Sequence, residues 1–180
     1  MDIRKVKECF LSAKKSEIKG KKHKGLLIIK PNQLYAEEYV SKAKKNLEFC
    51  EFYKNQGVDY KLPEEWFYTL YYCGLAILCK FGVESRSQRC TAVFLRYLKQ
   101  NKLIDYEDEF IERITVYSDK EKESDVDKRE EARYSPYVKN KEVSEQYQVM
   151  TEVCKRAISQ TEDIIYSNKE FKVPKELLEE

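Results

Sequence analysis

Residues 66–98, WFYTLYYCGLAILCKFGVESRSQRCTAVFLRYL, restrict this chain to a narrow set of folds. They read as two apolar helices joined by a short polar turn that carries arginine. In the first, Phe67, Leu70, Tyr71, Gly74, Ile77, Leu78 and Phe81 form one stripe, and Tyr72, Leu75, Ala76 and Cys79 fill much of the opposite side. A helix apolar on so much of its circumference must be covered from several directions, which makes it the hub of a bundle. Gly74 in its middle costs about 1 kcal/mol against alanine, so a neighbouring helix is expected to approach closely there. Gly82 is placed to terminate this helix, and Ser87 to cap the next. Cys90, Val93, Phe94, Tyr97 and Leu98 then recur at helical spacing.

The remaining helices follow from periodicity and punctuation. Ile3, Val6, Phe10 and Ala13 predict a helix over 3–18. Pro31 and Asn32 open a long one to about residue 55, with Ala36, Tyr39, Val40, Ala43, Leu47 and Cys50 on one face. Pro63, Glu64 and Glu65 suit the first turn of the central helix. Phe110, Ile111, Ile114 and Tyr117 predict a helix over 106–117. Ser124 or Asp125 caps another through Arg133, which Pro136 ends. Val143, Tyr147, Met150, Cys154, Ala157, Thr161 and Ile164 alternate steps of four and three along a last helix over 141–167, a spacing that suits an antiparallel bundle or a dimer seam. The apolar run Leu26–Ile29 has no visible strand partner and is read as an extended segment. The expected fold is all-α, an up-and-down helical bundle of four to five main helices in a single domain over 1–180. It divides into a basic helix and loop (1–30), the bundle proper (31–168) and a loosely ordered tail (169–180).

Several classes are excluded. No run approaches the roughly 18 apolar residues of a membrane span. The N-terminus MDIRKVKECF lacks the apolar core of a signal peptide, so a cytoplasmic location is expected. Glycines are too sparse for a phosphate-cradling loop. The six cysteines form no Cys-x-x-Cys pair and the chain has one histidine, so neither a metal site nor any other cofactor is expected. The cysteines are read as buried reduced thiols; a disulfide is the alternative that the lysine- and glutamate-rich composition permits.

Charge is uneven. Residues 1–30 hold ten basic against three acidic residues, +7, and the rest of the chain is −5. Such a segment can touch nucleic acid or a partner, or simply solvate a surface. His23, within the loop GKKHKG, is expected to be a solvated loop residue. Two polar groups stand out as RNA- or nucleotide-binding candidates: Arg86, Gln88 and Arg89 in the turn between the core helices, and Arg129, Arg133 and Tyr134 before Pro136. Arginine matches phosphate with a planar fork, and tyrosine stacks on bases. The competing reading gives Arg129 a surface ion pair with Asp125, four residues before it.

Three segments, KGLLIIKPNQLYAEEYVSKAKKNLEF (24–49), WFYTLYYCGLAILCKFGVESRSQRC (66–90) and REEARYSPY (129–137), resemble in order and spacing those of HEPN domains. These are helical modules of prokaryotic toxin–antitoxin, CRISPR-associated and nucleotidyltransferase-linked proteins. The resemblance implies a helical scaffold, homodimerisation and dealings with RNA. In active members, arginine and histidine from two protomers act without metal on an RNA phosphodiester, which the 2′-hydroxyl attacks. Here Arg129 and Tyr134 match an Arg-x4-Tyr part of that motif, but Pro136 stands where histidine would, and Gln88 where many relatives have one. Loss of a general acid or base removes about 10²- to 10⁴-fold in rate. The expectation is therefore a non-catalytic HEPN-like module that binds RNA, a nucleotide or a protein. The alternatives are an endoribonuclease with a variant site at Arg129 and Tyr134, or the partner subunit of a minimal nucleotidyltransferase.

Overall fold

The computed structural model describes residues 3–116, 125–134 and 140–178. Seven α-helices occupy them: α1 (Ile3–Ile18), α2 (Gln33–Asn55), α3 (Leu62–Lys80), α4 (Gln88–Gln100), α5 (Asp108–Arg113), α6 (Asp125–Tyr134) and α7 (Asn140–Ile165). The fold is an all-α bundle, as expected, and α3 is its hub. Residues 73–79 are buried without a break, and α2, α4, α6 and α7 all pack against α3.

Local chemistry fixes the ends. Asn32 accepts a hydrogen bond from the Tyr35 N–H (3.0 Å) at the start of α2, and Ser87 accepts one from the Cys90 N–H (3.3 Å) at the start of α4. Gly82 takes a positive φ of 74° just past α3, a backbone state that costs glycine little. Gly74 is the predicted close approach: a Cβ there would lie 2.9 Å from Leu95 Cδ1 and 3.3 Å from Thr91 Cγ2 of α4. Along α7, Met150, Cys154, Ala157, Thr161 and Ile164 are buried, so the heptad spacing serves an intramolecular seam against α2 and α3.

Several expectations are corrected. Leu26–Ile28 is a strand, β1, which pairs antiparallel with β2 (Val83–Ser85), with Leu27 opposite Glu84. Its partner was hidden in the turn after α3, where three residues carry too little pattern to read as a strand. The tail docks: Phe171 packs on Phe81 with ring centroids 4.8 Å apart, Leu177 is buried, and the Tyr97 hydroxyl donates to Glu176. The helix expected over 106–117 is confined to α5, and its Tyr117 lies outside the described residues, as do Ser124 and Pro136. The helix through Arg133 is rich in charge yet contributes to the core, since Asp125, Val126 and Arg129 are buried.

The cysteines divide. Cys50, Cys73, Cys79 and Cys154 are free and buried, whereas Cys9 of α1 and Cys90 of α4 form a disulfide with Cα atoms 5.7 Å apart. Nothing local marks these two as the partners, because 81 positions separate them in sequence. In chain-entropy terms a closure of that length is worth about 4.5 kcal/mol.

Candidate polyanion-binding surface

The β1–β2 ribbon folds the N-terminal segment back over the start of α4. The Arg86 N–H donates to the Gly25 carbonyl (3.2 Å) and the Ile29 N–H to the Gly82 carbonyl (2.9 Å), extending the pairing at both ends. The Ser12 hydroxyl donates to the Lys24 carbonyl (2.7 Å), which ties the loop to α1. His23 is therefore not solvated. It is buried, with Nε2 3.1 Å from Glu84 Oε1, and its Nδ1 meets no partner among the described residues. Burial alone would raise the Glu84 carboxyl, but hydrogen bonds from His23 and Arg86 outweigh it and hold the group below its usual range.

This local folding lines a surface cleft with Lys15, Lys19, Lys21, Lys22 and Lys24, together with Ser12 and Ser16; Glu8 is the acid in its wall. No ion pair joins these five lysines to a carboxylate among the described residues. Several cations elsewhere are neutralised in place: Lys44 by Glu162 at 2.7 Å, Lys54 by Asp59 at 3.2 Å and Arg156 by Glu107 and Glu109 at 3.1 and 2.9 Å. The cleft thus concentrates five cations against one carboxylate, the kind of field that attracts a polyanion. Exposed Arg86 lies across the ribbon from Lys24, which precedes the residue that pairs with it, and exposed Arg89 precedes Cys90, which is bonded to α1. Arg86 Nε is shared with Glu84 Oε1 at 2.7 Å, and Gln88 is the half-buried first residue of α4.

The second candidate group lies elsewhere. Arg133 pairs with Glu64, and the Arg129 guanidinium rests over the Phe67 ring, 4.5 Å from its centroid, with Tyr68 at 5.8 Å. These contacts are on the first half of α3, whereas Arg86 follows its far end. At 1.5 Å per helical residue the two groups stand about 20 Å apart. The expected Asp125–Arg129 ion pair is absent among the described residues; Asp125 receives Arg113 instead, at 3.3 Å. Tyr134 is exposed, at 76%. The structure thus joins Arg86 and Arg89 to the basic N-terminal segment, and separates them from Arg129, Arg133 and Tyr134. The basic segment and Arg86 are far apart in sequence, and only the ribbon and the disulfide unite them.

Between the two groups, α3 shows a stripe of half-buried tyrosines. Tyr39 stacks on Tyr72 and Tyr72 on Tyr68, with centroids 6.0 and 5.9 Å apart, and Lys42 Nζ lies 5.3 and 5.8 Å from the Tyr39 and Tyr72 rings. Nearby, burial pushes the Glu65 carboxyl up to about 7, reinforced by Glu64 and opposed by Lys61. A carboxyl raised in the folded state from its ordinary 4.5 favours folding at low pH, and that contribution is lost as pH rises through about 7. Glu65→Gln is accordingly expected to match the wild type near pH 4.5 and to exceed its stability by about 1 kcal/mol near pH 8, after allowance for screening of a half-buried group. Urea denaturation at the two pH values measures this.

Among the described residues, no three His, Cys, Asp or Glu side chains are grouped to hold a metal ion, and no helix is long and apolar enough to cross a membrane. No family model, curated protein or solved structure matches the chain.

Proposed function

We propose that this chain is a non-catalytic, HEPN-like helical module that binds RNA through its phosphates. The observation that carries the reading is the cleft of five lysines with no ion pair among the described residues, with Arg86 and Arg89 across the β1–β2 ribbon. Lysines held together without counter-charges repel one another, and a phosphate backbone relieves that repulsion while releasing its own counterions. The non-catalytic part rests on what is missing from the arginine site: no histidine accompanies Arg129 and Tyr134, and the lone His23 is buried against Glu84.

Filter binding of short single-stranded RNAs tests this. A Lys19→Glu/Lys21→Glu/Lys22→Glu variant is expected to bind at least about tenfold more weakly than wild type in low salt, and to show a shallower dependence of affinity on salt, each lost phosphate contact removing about 0.7 from the slope. Wild-type protein that fails to bind at low salt, or a variant that binds equally well, would overturn the proposal. RNA left intact by wild type at high protein concentration is the expected companion result, and cleavage would favour the variant ribonuclease.

A further inference from the structure

We propose that the Cys9–Cys90 disulfide is a thiol–disulfide exchange site, and that its reduction by a small dithiol loosens α1 and weakens polyanion binding at the lysine cleft; the binding half rests on the reading above. The bond joins the two elements that carry the positive surface. Cys9 lies on α1, which supplies Lys15 to the cleft and leads into the loop bearing Lys19, Lys21, Lys22 and Lys24. Cys90 lies in the first turn of α4, next to Arg89 and four residues from Arg86.

Noncovalent attachment of α1 is slight for its length. Of its 16 residues only Val6, Cys9 and Ala13 are buried, and two of these side chains are small. Leu11 and Ile18 are exposed at 51% and 78%. Phe10 adds an edge contact to Phe94, with centroids 6.1 Å apart, and the ribbon holds the loop that follows. A covalent tie is therefore a large share of what fixes this helix. The other side of the bundle is different, since α3 is held by burial along nearly its whole length.

The pair differs from the remaining cysteines in its bond and its place: Cys50, Cys73 and Cys154 are fully enclosed and Cys79, 5% exposed, lies on the hub helix, whereas Cys9 and Cys90, at 5% and 6%, are joined at the seam of an outer helix. In the exchange, a thiolate of the dithiol attacks one of the two sulfurs and forms a mixed disulfide. The Cys9–Cys90 bond breaks, its electron pair stays on the departing sulfur, and that sulfur takes up a proton. The second thiol of the reductant then displaces the first cysteine, which is protonated in turn. The protein gains two electrons and two protons, and the dithiol leaves as its cyclic disulfide.

The test uses the full chain purified without reductant, then treated with dithiothreitol under native conditions and alkylated. Mass spectrometry is expected to find Cys9 and Cys90 alkylated only after dithiothreitol, with Cys50, Cys73 and Cys154 protected in both states. Amide exchange should rise in α1 and the loop after it and stay unchanged in α3, and RNA affinity in low salt should fall about tenfold, the loss expected from one or two phosphate contacts. A Cys9→Ser/Cys90→Ser variant should behave as the reduced protein with or without dithiothreitol. Free thiols at both positions before treatment, resistance to native reduction, or no change of exchange in α1 each overturns the site. So does exchange that rises as much in α3 as in α1, because the bond would then serve global stability alone. RNA binding that is strong and unaffected by reduction overturns the control of binding. If α1 loosens while neither form binds RNA, the exchange site stands and the RNA reading falls.

Discussion

Gly25→Ala is expected to destabilise the protein by about 3 kcal/mol and to detach α1 selectively. A Cβ at this position would lie 2.2 Å from the Cys9 carbonyl oxygen and 2.9 Å from the Ala13 nitrogen. Both are backbone atoms of one helix, so no side chain can turn aside to relieve the clash, and either α1 or β1 must move. Overpacking of this kind costs about 1–3 kcal/mol, and the upper end applies where backbone meets backbone. The Gly25 carbonyl also receives the Arg86 N–H, so displacing β1 strains the ribbon that aligns Arg86 with the lysine cleft. Urea denaturation measures the loss, and amide exchange should locate it in α1 and the ribbon. A variant as stable as wild type would show that α1 is not seated on Gly25.

What could be read from the sequence, and what could not, divides along range. The hub helix, its close approach at Gly74 and the Asn32 and Ser87 caps were legible because each rests on local periodicity or on one residue's backbone chemistry. The ribbon, the disulfide and the burial of His23 were not, because each depends on bringing residues 23–28 beside residues 83–90. A three-residue strand has too short an alternation to announce itself, and a cysteine in an apolar stripe looks the same whether or not it has a partner. His23 sits among lysines, which suggests solvent, yet the strand pairing puts Glu84 within reach and closes the loop over it. The candidate surface suffered the same loss. Its lysines were counted as a segment and its arginines as a turn, and only the pairing of β1 with β2 makes them neighbours. The docking of the tail has a related cause: Phe171 and Leu177 look isolated in a polar stretch, and the tail's partners, Phe81, Tyr97 and α1, are all distant in sequence.

Arg129→Ala is expected to cost about 3 kcal/mol of stability while leaving RNA affinity within about twofold of wild type. The residue is 8% exposed and its guanidinium lies over Phe67 and Tyr68, where a desolvated cation–π contact is worth about 2 kcal/mol. Its alkyl stem covers part of α3 as well, so truncation also removes packing between α6 and the hub. Glu130 Oε1, at 3.3 Å, is its ion-pair partner and is itself exposed, so losing the arginine strands no buried carboxylate. The cost is that of uncovering Phe67, whose side chain is otherwise fully enclosed. Arg129→Lys should recover little, since an ammonium lacks the flat face that matches the ring. Arg133→Ala, by contrast, removes a solvent-screened cation from Glu64, which keeps Lys61 at 3.8 Å, and should change stability far less than Arg129→Ala. Denaturation of the three variants, with filter binding of the folded proteins, separates a structural cation from a ligand-binding one. A stable Arg129→Ala protein that no longer binds RNA would move the binding surface from the lysine cleft to α6, and would return this arginine to the role that the resemblance to HEPN domains implies.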